Sequence, residues 1–161
     1  MYIIYITLTV VQIIFLCIGK MPLFDSLATA FGTAGTGGFG IKNDSAASYS
    51  TYIQWVLTIF MILFGVNFNA YYYILYKQFK KAFKMEEVRY YFLIIIAAVG
   101  IIFCHIIDTT KSFFEALTQA SFQVASIITT TGFSSVDFNK WSQTCKTVLV
   151  FLMFCGACAG S

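Results

Sequence analysis

Four apolar runs, three of them long enough to cross a bilayer, constrain this chain more than any other feature. A hydrocarbon core of about 30 Å takes roughly 20 mostly apolar helical residues. Residues 1–18, 53–76 and 90–107 meet that requirement. A fourth run opens at Thr147 and meets Gly156, Gly160 and the last residue, Ser161, too soon to cross, so the sequence reads as part of a larger protein. Composition agrees: 59% of residues are hydrophobic and 11% charged, against about 45–50% and 25% in soluble domains. That balance excludes an ordinary soluble enzyme, a disordered tail and a coiled coil. One proline and eleven glycines exclude collagen-like or linker sequence. A net charge of +3, with its basic residues clustered, gives no footprint for nucleic acid. Met1 opens directly on apolar residues, with neither a basic leader nor a small-residue cleavage site, so the first run reads as a span and not a signal peptide.

Charge orients the spans. The 77–89 connection carries Lys77, Lys80, Lys81, Lys84 and Arg89 against Glu86 and Glu87. In the other connections, Lys20 and Lys42 are balanced by Asp25 and Asp44, and Lys111, Lys140 and Lys146 by Asp108, Glu115 and Asp137. The positive-inside rule places the basic loop in the cytoplasm, where the same patch can meet lipid headgroups. The longer 19–52 and 108–146 connections then face outward.

Each outer connection contains an amphipathic segment too short and too polar to span, 24–34 and 113–128, followed by a Thr/Gly stretch. Phe24-Asp25-Ser26-Leu27-Ala28-Thr29-Ala30 matches Phe114-Glu115-Ala116-Leu117-Thr118-Gln119-Ala120, and Thr36-Gly37-Gly38-Phe39 matches Thr130-Thr131-Gly132-Phe133. The order span, short helix, Thr/Gly stretch, span thus occurs twice, which is an internal repeat. More residues separate the two landmarks in the second copy, so its short helix is expected to be about one turn longer.

Such re-entrant elements narrow function. Non-helical backbone at membrane depth is tolerated where it is buried in protein or lines a water-filled path. A short helix entering from outside aims its C-terminus, with about half a negative charge, at the bilayer centre. The returning stretch would be extended and offer carbonyl oxygens to a dehydrating ion. Glycine supplies the positive φ that turns successive carbonyls to one axis, and threonines suit extended backbone and add hydroxyl oxygens. Oxygen ligands without a carboxylate favour a monovalent cation over calcium or magnesium. The residues point to a K⁺ or Na⁺ pathway.

Residues 31–39 and 122–133 resemble the selectivity-filter loops of the Trk/Ktr/HKT superfamily of potassium transporters, in particular its bacterial TrkH branch. Gly65-Val66-Asn67-Phe68 resembles a family element in the membrane helix after the second filter, and residues 153–161 resemble the opening of the Gly-rich gating loop in the third repeat. Cys155 and Ala157 depart from the aliphatic residue and glycine more usual there. The resemblance covers essentially the whole chain. It implies an all-α polytopic membrane protein built from tandem M1–pore-loop–M2 repeats, K⁺-channel-like, of which this fragment covers about two of four. Residues 1–76 would be the second repeat, 77–89 the cytoplasmic basic loop, and 90–161 the third repeat, truncated within its last membrane element. It also implies K⁺ uptake, with the ion held by backbone around Thr36, Gly37 and Gly38 and around Thr130, Thr131 and Gly132. The K⁺ ligands would come from Thr36, Gly37, Thr130 and Thr131, and the gating loop would begin at Gly156, Gly160 and Ser161. A homodimer in the cytoplasmic (inner) membrane and a cytosolic nucleotide-binding regulatory ring of the TrkA type are further implications. No cofactor is expected beyond the transported ion.

Other residues carry alternatives. Cys155-Gly156-Ala157-Cys158 matches Cys-x-x-Cys, so a membrane thiol–disulfide protein is the competing class, but redox pairs usually open a helix and this one ends an apolar run. A Na⁺-conducting or Na⁺-coupled member of the same superfamily is the other alternative. His105 and Asp108 sit three apart near an outer span end, where interfacial solvation explains them. Asn67 and Asn69 are expected to hydrogen-bond between helices. Tyr49, Tyr52, Trp55 and Trp141 suit an interfacial belt. Phe39 and Phe133 are expected to pack behind the filter. Asn43-Asp44-Ser45 is a chance-level glycosylation match. With its only histidine in a span, the chain offers no nucleophile–His–acid set and reads as a non-enzyme.

Overall fold

The computed structural model describes residues 2–41, 46–78, 84–107, 110 and 112–156. These residues are helical apart from their connections: α1 (Tyr2–Ile18), α2 (Leu23–Ala34), α3 (Thr51–Gly65), α4 (Phe68–Leu75), α5 (Glu86–Ile106), α6 (Phe113–Ile128) and α7 (Gln143–Cys155), with a 3₁₀ turn at Phe138–Lys140. Serines start three of the helices. The hydroxyls of Ser50, Ser112 and Ser142 accept from the N–H groups of Ile53, Glu115 and Cys145, satisfying donors that a helix start leaves free.

Packing forms two trios. In the first, α1, α2 and α3 touch one another; in the second, α5, α6 and α7 do; α3 against α6 joins them. The short helices α2 and α6 are the polar heart of each trio. Thr29 and Thr33 on α2, and Gln123 and Ser126 on α6, are buried. The outside is apolar: Ile3, Ile6, Val10, Ile14 and Ile18 form an exposed stripe on α1, and Val150, Phe151 and Phe154 one on α7. A soluble domain rarely exposes continuous apolar faces of this kind, whereas hydrocarbon covers them at no cost. Among the described residues one helix, α5 with 21 residues, passes the length and hydropathy test for a span; at 1.5 Å per residue it reaches about 31 Å. α1, α3 and α7 are shorter apolar helices.

The expected second span, 53–76, is not one helix. Backbone at Val66 (φ −72°, ψ 139°) and Asn67 (φ −56°, ψ 133°) is extended, so α3 ends at Gly65 and α4 begins at Phe68. The break is held by side chains from elsewhere. The Tyr91 hydroxyl on α5 donates to the Ile62 carbonyl at 3.2 Å, and the Tyr71 hydroxyl donates to that of Leu63. Both carbonyls belong to the last turn of α3, where a broken helix leaves acceptors short of donors; that of Leu63 also accepts from Val66 N–H at 3.2 Å. Asn67 restarts the chain: its Oδ1 accepts from Asn69 N–H, and its Nδ2 donates to the Glu87 carboxylate on α5. The helix-to-helix hydrogen bond expected of Asn67 therefore exists; Asn69 contributes its backbone N–H.

Candidate functional site

The two Thr/Gly stretches follow α2 and α6, and both leave their helix in the same way. After α2, Gly37 N–H donates to the Gly32 carbonyl (2.8 Å) and Thr36 N–H to that of Thr33 (3.2 Å). After α6, Thr131 N–H donates to the Ser126 carbonyl (2.9 Å) and Thr130 N–H to that of Ile127 (3.0 Å). Gly38 and Gly132 then donate again to Gly32 and Ser126, at 3.3 and 3.2 Å. This is the bonding of a helix stopped by one left-handed residue. That residue is usually glycine; here it is Thr36 (φ 49°) and Thr130 (φ 57°). A second positive φ follows at Gly38 (63°) and Gly132 (90°). The extended conformation expected of the threonines is therefore wrong for Thr36 and Thr130: the chain must reverse immediately after the helix, and the residue at that position takes the left-handed turn. A β-branched residue there is strained by about 1–2 kcal/mol, and strain of this kind clusters at functional sites. The helices are 12 and 16 residues long, so the extra length of the second copy lies in its helix, as the sequence landmarks require.

The stretches meet. A Cβ added to Gly38 would lie 2.1 Å from the Thr131 carbonyl oxygen and 3.0 Å from the Gly132 carbonyl carbon, so only glycine allows this approach. A Cβ added to Gly132 meets nothing within 4 Å. A side chain at Gly38 would therefore be crowded, whereas one at Gly132 would be strained by its φ alone.

Side chains brace the arrangement. Thr129 Oγ1 donates to the Ala125 carbonyl (2.7 Å), which uses its single hydrogen, so the Thr131 hydroxyl donates to Thr129 Oγ1 (2.8 Å). Ser126 Oγ donates to the Phe133 carbonyl (2.5 Å). In the first trio, Gln12 of α1 is wholly buried and donates through Nε2 to Thr33 Oγ1 (3.1 Å), whose own hydrogen goes to the Thr29 carbonyl (2.8 Å). Gln12 was not singled out from the sequence; a lone glutamine inside an apolar run was the available signal. Trp55 also exceeds its expected belt role, since its Nε1 donates to Thr118 Oγ1 at 3.0 Å and ties α3 to α6.

The two aromatics after the stretches part company. Phe133 is 2% exposed and reaches across the trios, its Cζ 3.4 Å from where a Gly32 Cβ would be. Phe39 is 81% exposed, so among the described residues the expected packing behind the filter is not found for it. Gly156 ends α7 tightly, with a Cβ position 2.6 Å from the Ile128 carbonyl oxygen at the end of α6. Gly160, Ser161, Ala157 and Cys158 lie outside the described residues, as do Lys42, Lys80, Lys81, Asp108, Lys111 and the Asn43-Asp44-Ser45 match. Cys155 is free and exposed. Among the described residues no group of three or more His, Cys, Asp or Glu side chains could hold a metal ion.

Comparison with known proteins agrees with this architecture. The family model described as "TrkH: Cation transport protein" matches residues 1–161. The Trk system potassium uptake protein TrkH of Salmonella typhimurium is 30% identical over 168 residues, covering 100% of this chain and 34% of that protein. The Trk system potassium uptake protein TrkI of Halomonas elongata is 28% identical, covering 89% of this chain and 30% of that protein. The chain thus spans about a third of the length of the curated relatives it matches. The crystal structure of the potassium transporter TrkH from Vibrio parahaemolyticus superposes with a TM-score of 0.91 at 28% identity, covering 99% of this chain and 36% of that one. An all-helical membrane fold, matched over its full length by one family, makes this chain a member of the TrkH family of cation transport proteins.

Proposed function

We propose that this chain supplies two adjacent quarters of a K⁺ uptake pathway, residues 1–76 and 90–161 being the second and third of four M1–pore-loop–M2 repeats joined by the cytoplasmic loop 77–89. The observation that carries this reading is the meeting of two alike hairpins at Gly38 and Thr131, each hung on the C-terminus of a short helix with a buried polar face. In this reading an entering ion exchanges water for carbonyl oxygens around Thr36, Gly37 and Gly38 and around Thr130, Thr131 and Gly132. The negative ends of α2 and α6 stabilise it beneath them. The ion is cargo, no cofactor takes part, and the chain is not an enzyme. The gate begins at Gly156 and continues through Gly160 and Ser161. The names of the relatives supply K⁺ as the ion. The complete protein would sit as a multi-pass homodimer in the cytoplasmic membrane, regulated by a cytosolic nucleotide-binding ring of the TrkA type.

The test is growth of K⁺-uptake-deficient bacteria at low K⁺, rescued by the complete transporter that carries this segment. Gly38→Asp and Gly132→Asp at wild-type membrane abundance should abolish rescue or K⁺ over Na⁺ preference. An unchanged preference in both variants refutes the filter assignment.

A further inference from the structure

The break between α3 and α4 lies against the foot of the second hairpin, and its contacts are closer than ordinary packing. A Cβ added to Gly65 would fall 2.3 Å from the Tyr91 hydroxyl and 2.8 Å from Thr129 Cγ2. Tyr91 is fixed in turn by donating to the Ile62 carbonyl. Thr129 is the residue whose hydroxyl receives the Thr131 hydroxyl at 2.8 Å. A continuous series of contacts therefore runs from α5, through the last turn of α3, to the hydroxyl of a proposed filter residue. A cavity of about 320 Å³, lined by Gly65, Asn67, Glu87, Tyr91 and Ile128, opens beside it, so the contact at Gly65 is local and not part of a generally crowded region.

We propose that Gly65 and Tyr91 are positioning residues for the second hairpin. They form a buttress that sets the height of Thr129 and, through its hydroxyl, the orientation of Thr131. The proposal rests on the filter reading above. Gly65 is required because the helix must end within contact distance of Thr129 Cγ2 while Tyr91 reaches over it to Ile62. Any side chain at position 65 has to push Thr129 outward or expel Tyr91. Gly100, in the middle of α5, supplies the internal comparison: a Cβ there meets nothing within 4 Å.

The experiment measures K⁺ over Na⁺ preference in the complete transporter at matched membrane abundance. Gly65→Ala should lower the preference, by less than the about 10²-fold that a 1 Å misplacement costs a reacting group, while Gly100→Ala leaves it unchanged. Tyr91→Phe removes the hydroxyl that anchors the buttress to Ile62, and Thr129→Ser removes the methyl it touches while keeping the Thr129 hydroxyl, so each should lower the preference with Gly65 intact. Thr129→Val keeps the shape, severs the link to Thr131 and should lower the preference without Gly65 being touched; it carries the test if Gly65→Ala does not reach the membrane. Wild-type preference in Gly65→Ala, or in Thr129→Val where Gly65→Ala is absent from the membrane, overturns the buttress. If Gly132→Asp, measured alongside, loses preference in that case, the filter reading survives; if it too is unchanged, both fall.

Discussion

Gly37 and Gly38 are neighbours in one hairpin, yet the structure assigns them opposite tolerance to the same added methyl group. At Gly38 the new Cβ would lie 2.1 Å from the Thr131 carbonyl oxygen, so the two hairpins must separate by more than 1 Å to restore an ordinary contact of at least 3.4 Å. Alanine at φ 63° adds strain of its own. Left-handed backbone costs about 1–2 kcal/mol and overpacking about 1–3 kcal/mol, so Gly38→Ala should destabilise the paired hairpins by about 2–5 kcal/mol. At Gly37 the nearest atoms are the edge of the Phe39 ring, at 2.9 and 3.2 Å, and that ring is 81% exposed and free to swing away. Gly37→Ala should stay within about 0.5 kcal/mol of wild type. Both variants are made in the complete transporter, and membrane abundance, thermal stability in detergent and K⁺ over Na⁺ preference are measured together. Gly38→Ala should be less stable and lose preference, and Gly37→Ala should keep wild-type stability. Equal behaviour of the two variants in stability and preference refutes the close approach of the hairpins.

Three further outcomes follow from local geometry. Thr130→Gly should raise thermal stability by about 0.5–1 kcal/mol, because glycine relieves the left-handed strain and gives back part of it as chain entropy; a fall in stability would mean the threonine side chain contributes more than its strain. Asn67→Ala removes both the cap of α4 and the hydrogen bond to Glu87, and should cost about 1–3 kcal/mol by thermal unfolding, with Glu87→Gln costing less because an amide oxygen still accepts from Asn67. Gly156→Ala places a methyl 2.6 Å from the Ile128 carbonyl oxygen; it should lower thermal stability and, at matched membrane abundance, alter the rate of ion flux, and an unaltered rate separates the end of α7 from gating.

What could be read from the sequence was local. The duplicated short-helix and Thr/Gly landmarks lie within a few residues of what they specify, so the short helices emerge at 24–34 and 113–128 almost where α2 and α6 stand. The break after Gly65 was hidden because Gly-Val-Asn interrupts an apolar run without proline or charge. It forms because Tyr91, 29 residues away from Ile62, supplies a donor that no local pattern announces. The left-handed threonines were hidden for a related reason: glycines stand next to Thr36 and draw the positive φ in any local reading, whereas the position one residue past the helix end decides it. Gln12 was lost in the uniform hydropathy of α1, since its partner Thr33 lies 21 residues on. The differing fates of Phe39 and Phe133 depend on which trio stands beside each ring, which is a tertiary fact.

The Phe133 contact also has a direction. Its ring leaves the second trio and lodges against Gly32 of the first, while the first trio's own ring, Phe39, points outward. The two trios therefore use different surfaces to touch, one giving an aromatic plug and the other the socket. A plug-and-socket joint has no two-fold axis to complete it; units joined this way continue until rotation brings the last plug to the first socket. Phe39 is thus the first trio's unused plug: among the described residues no socket of this kind faces it, and a unit joined to it in the same way would have to present the socket and not the ring.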